Sequence, residues 1–214
     1  MKKIPSLFMR NYETDRLVRN EVVPGSEWVL AGEGLPTIKI DGTACMIRDG
    51  QLYKRYDRKA KKKHNAPPEI AEIEYKPAPV GWEACGEPDT KTWHWPGWLP
   101  VGEGPEDQWH REAVANSIVQ LAGPEYKTLN GTYELIGPKV QGNPYRLDKH
   151  KLVKHGQHII AMDADLPGRA YAEIYDWLVS TLPPVEGIVW HHPDGRMVKI
   201  KRRDFGLSWP VDAK

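Results

Sequence analysis

The chain has 214 residues, 30 basic against 29 acidic, with 40% hydrophobic and 28% charged side chains. That length suits one large domain or two small ones, and the near-neutral balance offers no general attraction for polyanions, so any basic surface must be local. Two cysteines, Cys45 and Cys85, exclude a disulfide framework and a four-thiolate zinc site. With no apolar signal segment at the start and no run of 18 apolar residues, the expectation is a cytoplasmic protein without a membrane span.

In chain order, residues 27–33 and 37–48 read as strands, with Ile38, Ile40, Ala44, Met46 and Ile47 as apolar positions in the second. Asp49-Gly50 predicts a tight turn, and Gln51 to Tyr56 returns as a strand. Residues 64–111 are rich in proline and tryptophan. That composition is too apolar for a disordered linker and predicts an irregular insertion packed on the main domain. Helices are predicted over 106–122 and 169–182, where apolar residues recur at helical spacing and prolines follow. Residues 131–137 and 158–163 read as strands. A final hairpin runs from Glu186 to Lys201 around Pro193-Asp194-Gly195. Strands dominate and helices pack on them, so the fold class is α+β with antiparallel sheets. No domain boundary stands out, and one domain over 1–214 is expected.

The chemistry centres on Lys39-Ile40-Asp41-Gly42. Alone, the tetrapeptide fits a surface strand as well as a reactive lysine. It is followed by Tyr133-Glu134-Leu135-Ile136-Gly137, by Glu186-Gly187-Ile188-Val189, and by Lys199-Ile200-Lys201. Strand alternation turns Lys199 and Lys201 to one face and Val198 and Ile200 to the other. The order lysine, carboxylate, carboxylate, paired lysines is far more specific than any one piece.

Those segments resemble motifs I, III, IV and V of the covalent nucleotidyltransferases. The wider string is similar to a family of small stand-alone ATP-dependent RNA ligases. The similarity takes in Gly32-Glu33-Gly34, Leu52 to Asp57, His94 to Trp98 and Glu134 to Pro144, and runs from about residue 7 to residue 207. The resemblance implies the antiparallel-sheet, ATP-grasp-like adenylation domain of ligases, an ATP substrate, and Mg2+ or Mn2+. It implies joining of RNA 5′-phosphate and 3′-hydroxyl ends through a lysyl-AMP intermediate, by a chain expected to act as a monomer. Lys39 would be the nucleophile, and Lys199 and Lys201, with a metal, would favour its neutral amine and stabilise charge on phosphate. Asp41 and Gly42 would shape the turn beside it, Glu134 would bind the ribose, and Glu186 would hold the metal. Arg55 would engage phosphate of the nucleic-acid end.

The sequence departs from the family pattern where many relatives carry a glutamate just before the lysine; Thr37 and Ile38 stand there. Adenine recognition would then rest on backbone groups or on Glu33. His158 is the candidate to stack on the base, with a strand-edge histidine as the alternative. The basic run Lys54 to His64, including Arg58, Lys61 and Lys62, fits either an RNA-binding loop or a solvated one. The tryptophans fit loop packing better than base stacking. The histidine pairs lack the spacing of a zinc site. About a dozen residues follow Lys201, too few for the OB domain that most DNA ligases and capping enzymes add. A DNA ligase catalytic domain and a non-catalytic RNA-end-binding module remain the alternatives.

Overall fold

The computed structural model describes residues 4–61, 73–89, 92–121, 129–160 and 168–211, with backbone alone for 118–121. The chain forms two compact units, one made of residues 42–154 and the other of 4–41 with 155–214. The chain passes from one to the other after Asp41 and again after Lys154.

The discontinuous unit is built on two small antiparallel sheets. Strands β1 (Phe8–Arg10) and β2 (Val18–Val22) pair as a ribbon. Strands β3 (Leu35–Lys39), β10 (Gly187–His191) and β11 (Met197–Lys201) form a three-stranded sheet with β10 in the middle. Its open edges are covered. Residues 5–7 bond to β11 through Leu7 N–H to the Lys199 carbonyl (2.8 Å) and Lys199 N–H to Pro5 (3.0 Å). On β3, Ile38 N–H donates to the His158 carbonyl (2.8 Å) and Ile160 N–H to Pro36 (3.1 Å). One face of this sheet carries Ile188, Trp190, Val198 and Ile200, all buried. Leu7, Phe8, Val29, and Ile174 and Leu178 of helix α3 (Tyr171–Ser180) complete that core. Burial of such side chains contributes about 1.5–3 kcal/mol each.

The other unit is a six-stranded antiparallel sheet. It holds β4 (Thr43–Arg48), β5 (Gln51–Lys59), β6 (Glu83–Ala84), β7 (His94–Pro100), β8 (Gly131–Ile136) and β9 (Lys151–Lys154), in the order β6-β7-β5-β4-β8-β9. Asp49 and Gly50 both take positive φ, 50° and 81°, which a two-residue turn of the primed type requires. Helix α2 (Gln108–Leu121) packs on β9 and β8, and buried Ala113 joins Cys45, Leu52, Tyr133, Leu135 and Leu152 in a second core. Cys45 is a core residue here, and burial pushes its thiol up to about 12. Antiparallel sheets with few helices are thus what the chain forms. Among the described residues, no helix is long and apolar enough to cross a membrane.

Three local expectations change. Residues 27–33 do not extend. Glu27–Leu30 is a helical turn, α1, burying Trp28 and Val29, and Gly32 and Gly34 at φ 90° and 77° turn the chain back. The predicted strand 37–48 is two strands in different sheets, parted at Ile40–Gly42. A Cβ at Gly42 would run into the Leu135 carbonyl oxygen, so the break needs glycine's close approach. The Pro/Trp-rich insertion is not wholly irregular. Its residues 94–100 form β7 beside β5. Pro96 and Pro100 lack a donor, and they are tolerated because β6 covers only Trp98 and Gly97 on the outer side. Residues 64–72 and 90–91 of that insertion, residues 161–163 of the predicted strand, and Ala122 with the Gly123-Pro124 stop lie outside the described residues, as do the side chains of Ile118 and Leu121.

Candidate active site

The three-stranded sheet brings the predicted lysines together by register. Gly187 faces Lys39 on one side and Lys201 on the other, and Val189 faces Thr37 and Lys199. Directly paired residues share a face, as do residues two apart. Lys39, Lys199 and Lys201 therefore stand on the face opposite Ile188, Ile200 and the core. Gly187 between them is required: a Cβ there would strike the backbone of Ile200 and Lys201.

Glu186 immediately precedes β10, and its side chain is only 8% exposed. The Lys39 ammonium donates to its Oε2 at 2.6 Å and more weakly to the Ile40 carbonyl at 3.4 Å. Burial raises the Glu186 carboxyl above the ordinary carboxylate range, opposed by the charge and hydrogen bond of Lys39; Asp41 raises it further. Lys199 moves the other way. Burial, then the like charges of Lys39 and Lys201, hold its ammonium down to about 8. The fold fixes this cluster from behind. The Lys201 N–H donates to the buried Asp204 carboxylate at 2.9 Å, and Arg10 also binds Asp204. The Arg202 N–H donates to the Glu186 carbonyl at 2.8 Å.

Other polar groups named by the sequence lie in the same unit. The Asp41 carboxylate accepts the Trp209 indole N–H at 2.8 Å. Thr37 Oγ1 donates to the Val189 carbonyl (3.1 Å) and meets His191 Nε2 at 3.0 Å. Glu33 pairs with His192 at 2.8 Å, and Arg169 donates to the carbonyls of Val29, Glu33 and Gly34, clamping that loop. His158 is exposed; its carbonyl pairs with β3, but beyond the single bridge of Ile159 to Thr37 the described residues form no regular strand there. The predicted strand face of His158, Ile160 and Met162 is described only for its first two members.

Glu134 belongs to the six-stranded unit, on β8. Its Oε1 accepts the Gly42 N–H at 3.1 Å, while Gln141 donates to the Gly42 carbonyl at 3.2 Å. Of the basic residues predicted to meet RNA, Arg55, Arg58 and Lys61 each have a protein partner. Arg55 Nε donates to Asp57 (2.5 Å) and Nη1 to Cys85 Sγ (3.4 Å). Arg58 lies 5.0–5.6 Å from the ring centroids of Tyr75, Trp82 and Trp95, and donates twice to the Lys76 carbonyl. Lys61 pairs with Glu74. Lys62 lies outside the described residues. Arg58 and two of the tryptophans are thus packed on each other, the packing reading of the aromatic cluster. Nothing in the sequence pattern singled out Trp209 or Asp204; both follow the last predicted motif, where a buried tryptophan and an aspartate after Lys-x-Lys were the available signals.

Comparison with known proteins adds an independent line. The family model described as RNA ligase 1 matches residues 116–214. RNA ligase 1 of Pongo abelii is 30% identical over 227 residues, covering 83% of this chain and 69% of the relative. RNA ligase 1 of Rattus norvegicus is 28% identical over 273 residues, covering 98% and 82%. RNA ligase 1 of Danio rerio is 29% identical over 226 residues, covering 82% and 68%. All of these are ligases by name, and the class of this chain is accordingly a ligase. The chain belongs to the RNA ligase 1 family.

Proposed function

We propose that this protein is an ATP-dependent RNA ligase that works through a lysyl-AMP formed on Lys39. The observation that carries the reading is the convergence of Lys39, Lys199 and Lys201 on one face of a single sheet, with Glu186 in direct contact with Lys39. That is the donor set a covalent nucleotidyltransferase needs, and membership of the RNA ligase 1 family supports it. The antiparallel architecture agrees with an adenylation domain of that superfamily.

The reaction proceeds in three transfers. The neutral Lys39 amine attacks the α-phosphorus of ATP; a P–N bond forms, the bond to pyrophosphate breaks, and a proton leaves the nitrogen. An RNA 5′-phosphate oxygen then attacks the same phosphorus, the P–N bond breaks, and a 5′–5′ pyrophosphate forms. Last, a 3′-hydroxyl attacks the RNA 5′-phosphorus, loses its proton, and AMP departs. Lys39 must give up a proton before the first step, because an ammonium has no lone pair. Lys199 and Lys201 stand where they can neutralise charge growing on the phosphates. Glu134 would hold the ribose and Arg55 the strand end.

A divalent metal fits the donor set in a limited way. Among the described residues, no group of three or more His, Cys, Asp or Glu side chains could hold an ion by itself. Mg2+ commonly takes one or two carboxylates, with substrate phosphates and water filling the rest. Glu186, a buried carboxylate beside the nucleophile, would supply the protein's share to Mg2+ or Mn2+. The ion would contribute Lewis-acid neutralisation of phosphate.

The test is a joining assay on nicked, single-stranded and hairpin substrates in RNA and DNA versions, each with 5′-phosphate and 3′-hydroxyl ends. ATP-dependent sealing of RNA in preference to DNA is expected. Equal or better sealing of DNA would move the reading to a DNA ligase, and binding without sealing would reduce it to an end-binding module.

A further inference from the structure

The segment after β11 reaches back to the nucleophile's own loop. Residues 202–205 form a helical turn, Gly206 at φ 80° reverses the chain, and Trp209 returns into the discontinuous unit, buried to 7% exposure. Its indole N–H, a donor with no acceptor role, is spent on Asp41 Oδ2 at 2.8 Å. Arg203, itself exposed, holds the Trp209 carbonyl from Nε at 3.2 Å and Nη2 at 2.6 Å. Arg202 donates to the Ser208 carbonyl at 2.9 Å and also binds the Leu178 carbonyl. The tail is therefore fixed at several points, and the side chain so delivered makes its hydrogen bond to a residue two positions from Lys39.

Asp41 is close enough to Glu186 to act on it electrostatically. Asp41 lies in the Ile40–Gly42 break that directly follows Lys39, so where its carboxylate is held bears on the path of the chain at the nucleophile. The hydrogen bond from a buried, fixed donor holds it in one orientation. We infer that Trp209 is a positioning residue for lysine adenylation: it anchors Asp41, and through Asp41 the turn that aims Lys39. Trp209 falls outside the motifs that carry the family resemblance. This rests on the lysyl-AMP reading above.

The test is single-turnover self-adenylation with labelled ATP, which separates the rate constant from the amplitude, the fraction of chains able to react. Trp209→Phe keeps most of the ring volume and loses the N–H. Hydrogen bonds to charged groups predict a fall in the rate constant of about ten-fold, with amplitude preserved and the ATP concentration at half-maximal rate unchanged within about two-fold. Arg203→Ala, on the surface, lowers the same rate constant by a smaller factor and remains readable should Trp209→Phe not fold. Wild-type rate constants in both folded variants, or losses confined to the amplitude, would overturn the inference. A wild-type protein that takes no label would instead overturn the lysyl-AMP reading.

Discussion

The lysines of the three-stranded sheet and the arginines of β5 are both rows of cations on β-strands, yet they are held in different ways. On β3 and β11, Lys39, Lys199 and Lys201 crowd onto one face, and Lys199 is forced down to about 8 by burial and by its two neighbours. On β5, Arg55 and Arg58 are each matched to their own partners, Asp57 with Cys85 and an aromatic cluster with the Lys76 carbonyl. A fold that aims only for stability spreads its cations and pairs them, since an unpaired buried charge is costly. Crowding three ammonium groups around one carboxylate raises the energy of the resting protein, and strained electrostatics of that kind cluster at functional sites. The contrast therefore separates cations crowded onto one face around a single carboxylate from cations that each have partners of their own.

The contrast is sharpest at Glu186. Replacing it with alanine removes the carboxylate proposed to hold the metal, and a loss on the order of a hundred-fold or more in self-adenylation is expected. A Glu186→Ala rate near wild type, measured by labelled-AMP transfer, would break the distinction. Arg55→Ala tests the other strand; about ten-fold slower transfer of AMP to the RNA 5′ end is expected, because Arg55 is the β5 cation the strand end would engage.

Lys199 gives a pH test. In the proposed role its ammonium neutralises phosphate, and it is lost as pH rises through about 8, so kcat/KM for ATP should decline above that point. Stability runs the opposite way. The unfolded chain holds the proton up to the ordinary lysine value of 10.5 and so binds it more tightly than the folded one. The Lys199 contribution thus increases stability as pH rises from about 8 towards 10.5. Falling activity alongside a steady or rising melting temperature distinguishes titration from unfolding. Lys199→Arg, charged throughout, should flatten the decline.

The smallest effect is expected at Arg58. Arg58→Ala should cost about 1–2 kcal/mol of stability from the lost cation–π contacts and hydrogen bonds, read as a lower midpoint in denaturant. A variant of unchanged stability but failed RNA binding would make Arg58 a substrate contact and erase its difference from Arg55.

The parts of the site that alternate along strands were legible in the sequence. Lys199 and Lys201 declare their shared face through Val198 and Ile200, and the Glu186-Gly187 pair marks the strand that lies between them and Lys39. The interruption at Ile40–Gly42 was not legible. Apolar residues continue through it, and the cause is a backbone approach to Leu135 from a strand ninety residues away. β7 was hidden because proline argues against a strand, and only the short β6 makes it permissible. The cage around Arg58 and the bond from Trp209 to Asp41 join residues far apart in sequence, which no local period can report.

The most direct test is the covalent state of Lys39. Incubation with ATP and Mg2+ without RNA, followed by intact-mass analysis and peptide mapping, should find one AMP per chain on Lys39 and none in Lys39→Ala. AMP on another residue, or RNA joining that persists in Lys39→Ala, would contradict the account.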